Sequence, residues 1–306
     1  MSIVKNQHYV PRVYLEKFAF KGEQLHVFDK TASRSFPSSV KNVACEKFFY
    51  DIPEKYLQED AEFQVVEKHL STMEGRFAPC RDSILSQIES GGRFDPRLKE
   101  EFADYLLLQM LRTKTHREQY LEVGRMVQAV VRANPDLAKS MELPEARISL
   151  EHVRMMFSPE FTSPMKRAIL SHIWVIGINE TEKSLYTSDS PVVRYPHVRH
   201  PLMGTNGVAC VGIEIDFPLS PKHVLIVGER SYHRHMIRWE NRAFPVADMN
   251  WILVLNQLQV NEAYRQVYSD QPDFSHAIEL LQRFPQIGEI DHPRSELVSP
   301  RLDDAR

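Results

Sequence analysis

The chain has 306 residues with 42% hydrophobic and 26% charged side chains, enough to bury a full core, and its net charge of −3 excludes a globally basic protein built to coat nucleic acid or anionic membrane. Its three cysteines, Cys45, Cys80 and Cys210, lie far apart with no C-x-x-C pair, which excludes a zinc ribbon and a disulfide framework. The first residues lack the apolar stretch of a signal peptide, and no apolar run reaches bilayer length, so a cytoplasmic location and no membrane partner are expected.

Taken in chain order, Pro11 opens a short helix carrying Val13, Tyr14, Leu15 and Phe18. Gln24 to Asp29 alternates like a strand, Asp29 to Ser35 reads as its turn, and a further short strand is expected near Lys47 to Asp51. Leu57 to Ser90 is helical, with Phe63, Val66, Leu70, Met73 and Phe77 at three- and four-residue steps and a kink or break expected at Gly75 and Pro79. Asp95-Pro96 starts a helix predicted to run to about Ala133, with a break at Asn134-Pro135. Helical pieces follow at Ser149–Phe157 and Pro164–Leu170. The pattern then turns β-rich: His172–Asn179, Leu185–Ser188, Val208–Phe217 and Lys222–Gly228. Tyr232–Glu240 and Asp248–Ser269 are expected to be helical, the second as a closing helix. The expected fold is α+β: a small N-terminal β element, a helical middle, and a C-terminal antiparallel or mixed sheet closed by a helix. Residues 1–270 would form one globular domain, and 271–306 an extension with a mobile end.

Several segments read together carry a resemblance. They are His8-Tyr9-Val10-Pro11 with Tyr14, Leu15 and Phe18; Arg112-Thr113 late in a long helix; Trp174; Thr187-Ser188-Asp189-Ser190-Pro191; Pro218-Leu219-Ser220-Pro221; and Asn256 with Ala263 to Tyr268. In this order, over about residues 6–270, the chain resembles the domain-of-unknown-function family 4238. Gln7 stands where a second histidine is common and Ser190 where asparagine is common, so a chemistry needing a histidine pair at 7 and 8 is disfavoured. The resemblance implies a mainly bacterial, cytoplasmic protein and no established activity.

The residues themselves offer four constellations. His8 with Arg12 beside Pro11 could supply a general base or metal ligand, against the bland alternative of a structural histidine. Gln109, Arg112, Thr113 and His116 share a helical face; the arginine fork suits phosphate or carboxylate, though the same face could be an internal ion-pair network. Ser188 and Asp189 could hold an anion and a metal or base, or simply make a turn before Pro191. His197, His200, His223, His233 and His235 form a histidine-rich stretch with no recognised metal spacing, and exposed loop histidines are the plainer reading. Walker A, dinucleotide, kinase and EF-hand motifs are absent, and Ser188 is not in a G-x-S-x-G elbow.

The function expected from these residues is a phosphodiester-directed, nuclease-like hydrolase of the kind used in bacterial conflict or phage defence. His8, Arg112 and Asp189 would be catalytic, and Arg12, Gln109, Thr113, His116 and Ser188 would bind substrate. The cofactor is left open, with Mg²⁺ or Mn²⁺ as candidates, and the partner would be nucleic acid or a phosphate-bearing ligand. The alternative is a non-enzymatic binding or sensor module for a phosphate or carboxylate ligand. A third reading makes the same residues a buried polar network that fixes the fold.

Overall fold

The structure is a computed structural model that describes residues 4–52, 64–133, 145–200 and 204–290. It opens with strand β1 (Asn6–His8) and one helical turn, α1 (Arg12–Leu15). Next come β2 (Gln24–Asp29), β3 (Arg34–Ser39) and β4 (Cys45–Lys47). The helical middle holds α2 (Val65–Glu89), α3 (Leu98–Leu111), α4 (Lys114–Ala133), α5 (Glu145–Phe157) and α6 (Pro159–Ser171). The β-rich part holds β5 (Ile173–Asn179), β6 (Thr187–Ser188), β7 (Val193–Pro196), β8 (Ile213–Ser220), β9 (His223–Gly228) and β10 (Ala243–Val246). A 3₁₀ segment, Arg234–Trp239, separates β9 from β10. Helix α7 (Met249–Glu262), strand β11 (Gln266–Ser269) and helix α8 (Ser275–Arg283) follow.

The strands form three sheets. β1 and β4 pair antiparallel, with His8 opposite Cys45. The central five-stranded sheet runs β10-β5-β9-β8-β7 and is mixed, because β10 pairs parallel with β5 while the other pairs are antiparallel. The third sheet, β3-β2-β11-β6, is antiparallel and joins the N-terminal hairpin to the end of the β-rich part. The architecture is α+β with the order expected from the sequence. No helix among the described residues is long and apolar enough to cross a membrane.

The central strands are buried on both faces, which is why they read as continuous apolar runs rather than alternations. Trp174, Ile176, Ile215, Phe217, Leu225 and Val227 face the main core, shared with α1, α2 and α3. Val175, Val224 and Ile226 face the opposite core, with Ile252 and Leu255 of α7. Tyr14 ties the parts together: its hydroxyl donates to the Pro218 carbonyl at 2.6 Å and meets Thr187 Oγ1 at 2.7 Å, and its ring stacks on Phe217 at 5.0 Å.

Several local expectations change: the strand expected near Lys47–Asp51 is Cys45–Lys47, the one expected over Val208–Phe217 runs Ile213–Ser220, and the helix expected over Tyr232–Glu240 is a 3₁₀ segment, Arg234–Trp239. Arg34–Ser39 is a strand, not only a turn, because it pairs along β2 over its whole length. Pro79 lies inside an unbroken α2, which the burial of Phe77, Cys80, Arg81 and Ile84 around it holds straight against the lost backbone bond. The helix predicted over 95–133 divides at Arg112-Thr113, where Thr113 Oγ1 accepts the His116 N–H and starts α4 as a cap. The closing helix ends at Glu262 instead of continuing to 269, because Tyr264 to Gln266 turn onto Asp189 and Gln266–Ser269 then pairs with β2 and β6. The expected break at 134-135 and the expected mobility of 299–306 lie outside the described residues.

Candidate functional site

The candidate residues expected from the sequence fall into a buried polar framework. Arg112 is 1% exposed, donates to Glu74 Oε1 at 2.8 Å and to the His8 carbonyl at 2.5 Å, and reaches the Tyr50 hydroxyl at 3.4 Å. Gln109 Nε2 donates to the Tyr9 carbonyl at 3.0 Å, and its Oε1 accepts from Tyr105. So Gln109 and Arg112 hold the main chain of β1 and its end, not the His8 imidazole. That imidazole is half-buried, its Nε2 has no hydrogen-bond partner among the described residues, and burial lowers its pKa. Arg12 lies at the surface and pairs with Glu23 at 3.3 Å. Thr113 is the cap of α4, and His116 packs 5.5 Å from the His152 ring, burial and then His152 pushing its pKa down to about 3.

Asp189 is 1% exposed, and its carboxylate accepts three backbone N–H groups: Tyr264 at 2.7 Å, Arg265 at 2.8 Å and Gln266 at 2.9 Å. Burial raises its pKa, and those amides oppose the rise. Ser188 Oγ donates to Gln259 Oε1 at 2.8 Å and accepts the Ser190 N–H. The two halves of this framework meet at Tyr9, whose carbonyl takes Gln109 and whose phenol, pushed up first by burial, also feels the Asp189 charge.

A second constellation lies on the other face of the central sheet. Strand β8 carries Glu214 and Asp216 at alternate positions, and the pleat turns both away from the main core that holds Ile213, Ile215 and Phe217. β7 runs beside it with Tyr195 opposite Glu214, so His197, one residue past the strand, arrives next to that carboxylate. His197 Nε2 is 3.2 Å from Glu214 Oε2, and His233 Nδ1 is 3.7 Å from the same oxygen. Donor atoms of the three side chains all lie within 4.8 Å of one another. They could hold a metal ion.

The surrounding loop is tightly built. Glu229, at the end of β9, accepts from Ser231 N and Oγ at 2.8 Å, Tyr232 N at 3.1 Å and Gly212 N at 3.3 Å. Burial alone would raise its pKa, but these bonds pull it down to about 2. The Glu229 carbonyl accepts the His233 N–H, and the Gly212 carbonyl accepts the His197 N–H. Gly212 has φ +77°, a conformation that suits glycine. At Gly228 a Cβ would fall 2.9–3.1 Å from His233 ring atoms, so the bare backbone there is what lets the imidazole seat.

These groups border a cleft of about 480 Å³. Val175 and Ile226 contribute its apolar part, and Trp239, Phe244 and Trp251 form an aromatic wall with successive ring centroids 6.1 and 5.5 Å apart. Arg238 supplies positive charge at the same cleft, and His235 lines it. Asp216 is 1% exposed and neither carboxylate oxygen has a hydrogen-bond partner among the described residues. Burial, then the neighbouring Glu214, drives its pKa well up. Burial likewise raises Glu214, while His197 opposes the rise. His233 is pushed down to about 4 by burial, then by His197 and His235, so it is a neutral imidazole at neutral pH.

The sequence reading named the histidines of this cleft but set them aside, and it missed Glu214 altogether. The available signal was Ile213-Glu214-Ile215-Asp216-Phe217, two carboxylates on one face of a strand otherwise apolar.

An α+β chain with a mixed central sheet and a histidine–carboxylate cluster on one sheet face is therefore the class defined by fold and geometry. Residues 6–273 match the family described as Protein of unknown function (DUF4238), and the chain belongs to that family. Comparison with curated proteins and with solved structures finds no match.

Proposed function

We propose that the protein is a phosphodiester-directed hydrolase and that its reaction takes place in the cleft of His197, Glu214 and His233. The observation that carries this reading is the meeting, in one cleft, of two imidazoles and a carboxylate with the Arg238 guanidinium and a wall of flat aromatic rings. A phosphodiester needs cationic donors for its charge, a group to take a proton from water, and apolar surface for whatever the phosphate joins. Arg238 offers a planar fork to phosphate oxygens, and its guanidinium lies 5.8 Å from the Trp239 ring centroid. His197, exposed beside Glu214, accepts the proton as a water oxygen attacks phosphorus and the bond from phosphorus to the leaving oxygen breaks. A setting in bacterial conflict or phage defence belongs to the same proposal, with foreign nucleic acid as the substrate.

In this reading, of the residues first expected to be catalytic, His8, Arg112 and Asp189, the last two act as the framework that seats β1 and β11. Their polar atoms are taken by Glu74, Tyr50, the His8 carbonyl and three backbone amides. The test is cleavage of single- and double-stranded DNA, plasmid and transfer RNA by purified protein beside His197→Ala and Arg238→Ala. Cleavage reduced at least about a hundredfold by His197→Ala is expected, the usual share of a general base. Full cleavage by both variants would move the reaction elsewhere. No cleavage by folded protein would refute the hydrolase reading and favour a binding module.

A further inference from the structure

We infer that His197, Glu214 and His233 form a binding site for a divalent first-row transition ion, of the two-histidine, one-carboxylate type with open positions for water or a substrate oxygen. This deepens the hydrolase proposal by naming a cofactor for the same cleft, in which His197 acts as a ligand and ion-bound water takes over the part given above to the free imidazole as base, and it rests on that proposal only for what the ion would do there.

Four independent features point to it. The first is spacing. Donors bound tetrahedrally at about 2.1 Å from an ion lie about 3.4 Å apart. The two separations to Glu214 Oε2, 3.2 and 3.7 Å, bracket that value. The second is donor chemistry: the buried His233 imidazole turns its Nδ1 toward Glu214 Oε2, at 3.7 Å, in the same cluster as His197. The third is charge. Glu214 and Asp216 sit together with little solvent, and neither oxygen of Asp216 is hydrogen-bonded among the described residues. A cation held at Glu214 would favour the ionised form of this unpartnered neighbouring carboxyl.

The fourth is that the ligands are held from behind before any ion arrives. The main chain of His197 is fixed by Gly212, that of His233 by Glu229, and the imidazole of His233 by the close face of Gly228. The Glu229 carboxylate clamps the loop that carries His233 through three hydrogen bonds, from Ser231 and Tyr232, and ties it to Gly212 through a fourth. Such support is what metal ligands need, and a surface loop of chance histidines would lack it.

Two imidazoles and one carboxylate select zinc, manganese, iron or cobalt over magnesium, which takes oxygen ligands and keeps its waters. Among the candidates Mg²⁺ and Mn²⁺, the site therefore favours Mn²⁺, with Zn²⁺ equally suited by geometry. Three protein ligands leave room for a bound water, whose pKa an ion such as zinc lowers to about 7. Hydroxide would then be available in the cleft that Arg238 and the aromatic residues also line.

The experiment uses the full chain, stripped with chelator and dialysed. Zn²⁺, Mn²⁺ and Mg²⁺ are titrated by calorimetry, and Co²⁺ by its visible ligand-field absorption. His197→Ala, Glu214→Gln and His233→Ala are compared with His223→Ala, a histidine at the far end of β9 from His233. One equivalent of Zn²⁺ or Mn²⁺, with Mg²⁺ much weaker, is expected. Loss of a direct ligand should weaken binding by more than about a hundredfold, beyond the 10- to 100-fold typical of outer partners, while His223→Ala leaves it unchanged. Should His233→Ala fail to fold, His197→Ala still decides, because that side chain is exposed. No saturable Zn²⁺, Mn²⁺ or Co²⁺ binding, or binding equal in wild type and His197→Ala, overturns the inference. Stoichiometric binding without cleavage keeps the ion and removes the hydrolase; cleavage that survives chelation, with no binding, does the reverse.

Discussion

Replacing Asp189 with alanine should be among the most damaging single changes in the chain. The carboxylate is almost fully buried and is the acceptor for three consecutive N–H groups at 2.7, 2.8 and 2.9 Å. Alanine leaves those donors without a partner at the point where α7 turns into β11, and each orphaned buried donor costs about 1–3 kcal/mol. Part of that is offset because a carboxylate that burial disfavours is also removed. The net expectation is about 3–5 kcal/mol, the range for breaking a buried charged interaction by deleting one partner. Asp189→Asn keeps one acceptor oxygen and should cost distinctly less. Equilibrium urea unfolding followed by tryptophan fluorescence measures both, with the slope compared to ensure that only the midpoint moves. The protein that remains folded should keep ion binding and cleavage per folded molecule. A loss of under about 1 kcal/mol in Asp189→Ala, or selective loss of cleavage with unchanged stability, would refute the structural assignment and return Asp189 to the chemistry.

Arg112→Met should cost about 3–5 kcal/mol in the same assay, because Glu74 and the His8 carbonyl lose a fully buried donor. Arg112→Lys should recover only part of it, since an ammonium cannot fork to Glu74, the Tyr50 hydroxyl and the His8 carbonyl together. Gly228→Ala should push the His233 ring aside and lower ion affinity about 10- to 100-fold, read by calorimetry, with a cooperative melt retained. Glu229 gives a pH signature. Its folded pKa of about 2 lies below the ordinary 4.5, so its stabilisation is present above pH 4.5 and is lost as pH falls towards 2. Urea midpoints of wild type and Glu229→Gln should differ at neutral pH and converge on acidification; a gap that stays constant to pH 2 would contradict the four-bond clamp.

The fold was legible where the pattern was local. Trp174 to Asn179 and Val224 to Gly228 are strands because runs of branched and aromatic residues are buried on both faces, and that signal needs no partner to be read. The misreadings at the ends of helices came from distant partners. Tyr264 to Ser269 looks like the last turns of a helix until Asp189, some 75 positions earlier, captures its amides and β2 offers it a ladder. The split at Arg112-Thr113 likewise depends on Tyr50, Glu74 and the end of β1, none of them visible in the helical periodicity.

The cleft failed to show for a different reason. A metal motif is recognised in sequence when its ligands share one element, as in two histidines one helical turn apart. Here each ligand comes from a different place: His197 from the end of β7, Glu214 from within β8, His233 from the loop after β9. The register of β7 on β8, Tyr195 opposite Glu214, and of β8 on β9, Glu214 opposite Gly228, converts separations of 17 and 19 positions into contact, so the spacing carries no fixed signature. What sequence did hold was an inconsistency. Glu214 and Asp216 alternate with Ile213, Ile215 and Phe217 in a strand that pairs on one side with the buried, mostly apolar β9. Charge placed in a two-sided core is costly unless something compensates it, and the fold alone gives Asp216 no hydrogen-bond partner among the described residues. Such a local conflict points to a functional position more directly than a count of histidines, and in this chain it lies beside Glu214, the carboxylate that His197 and His233 approach.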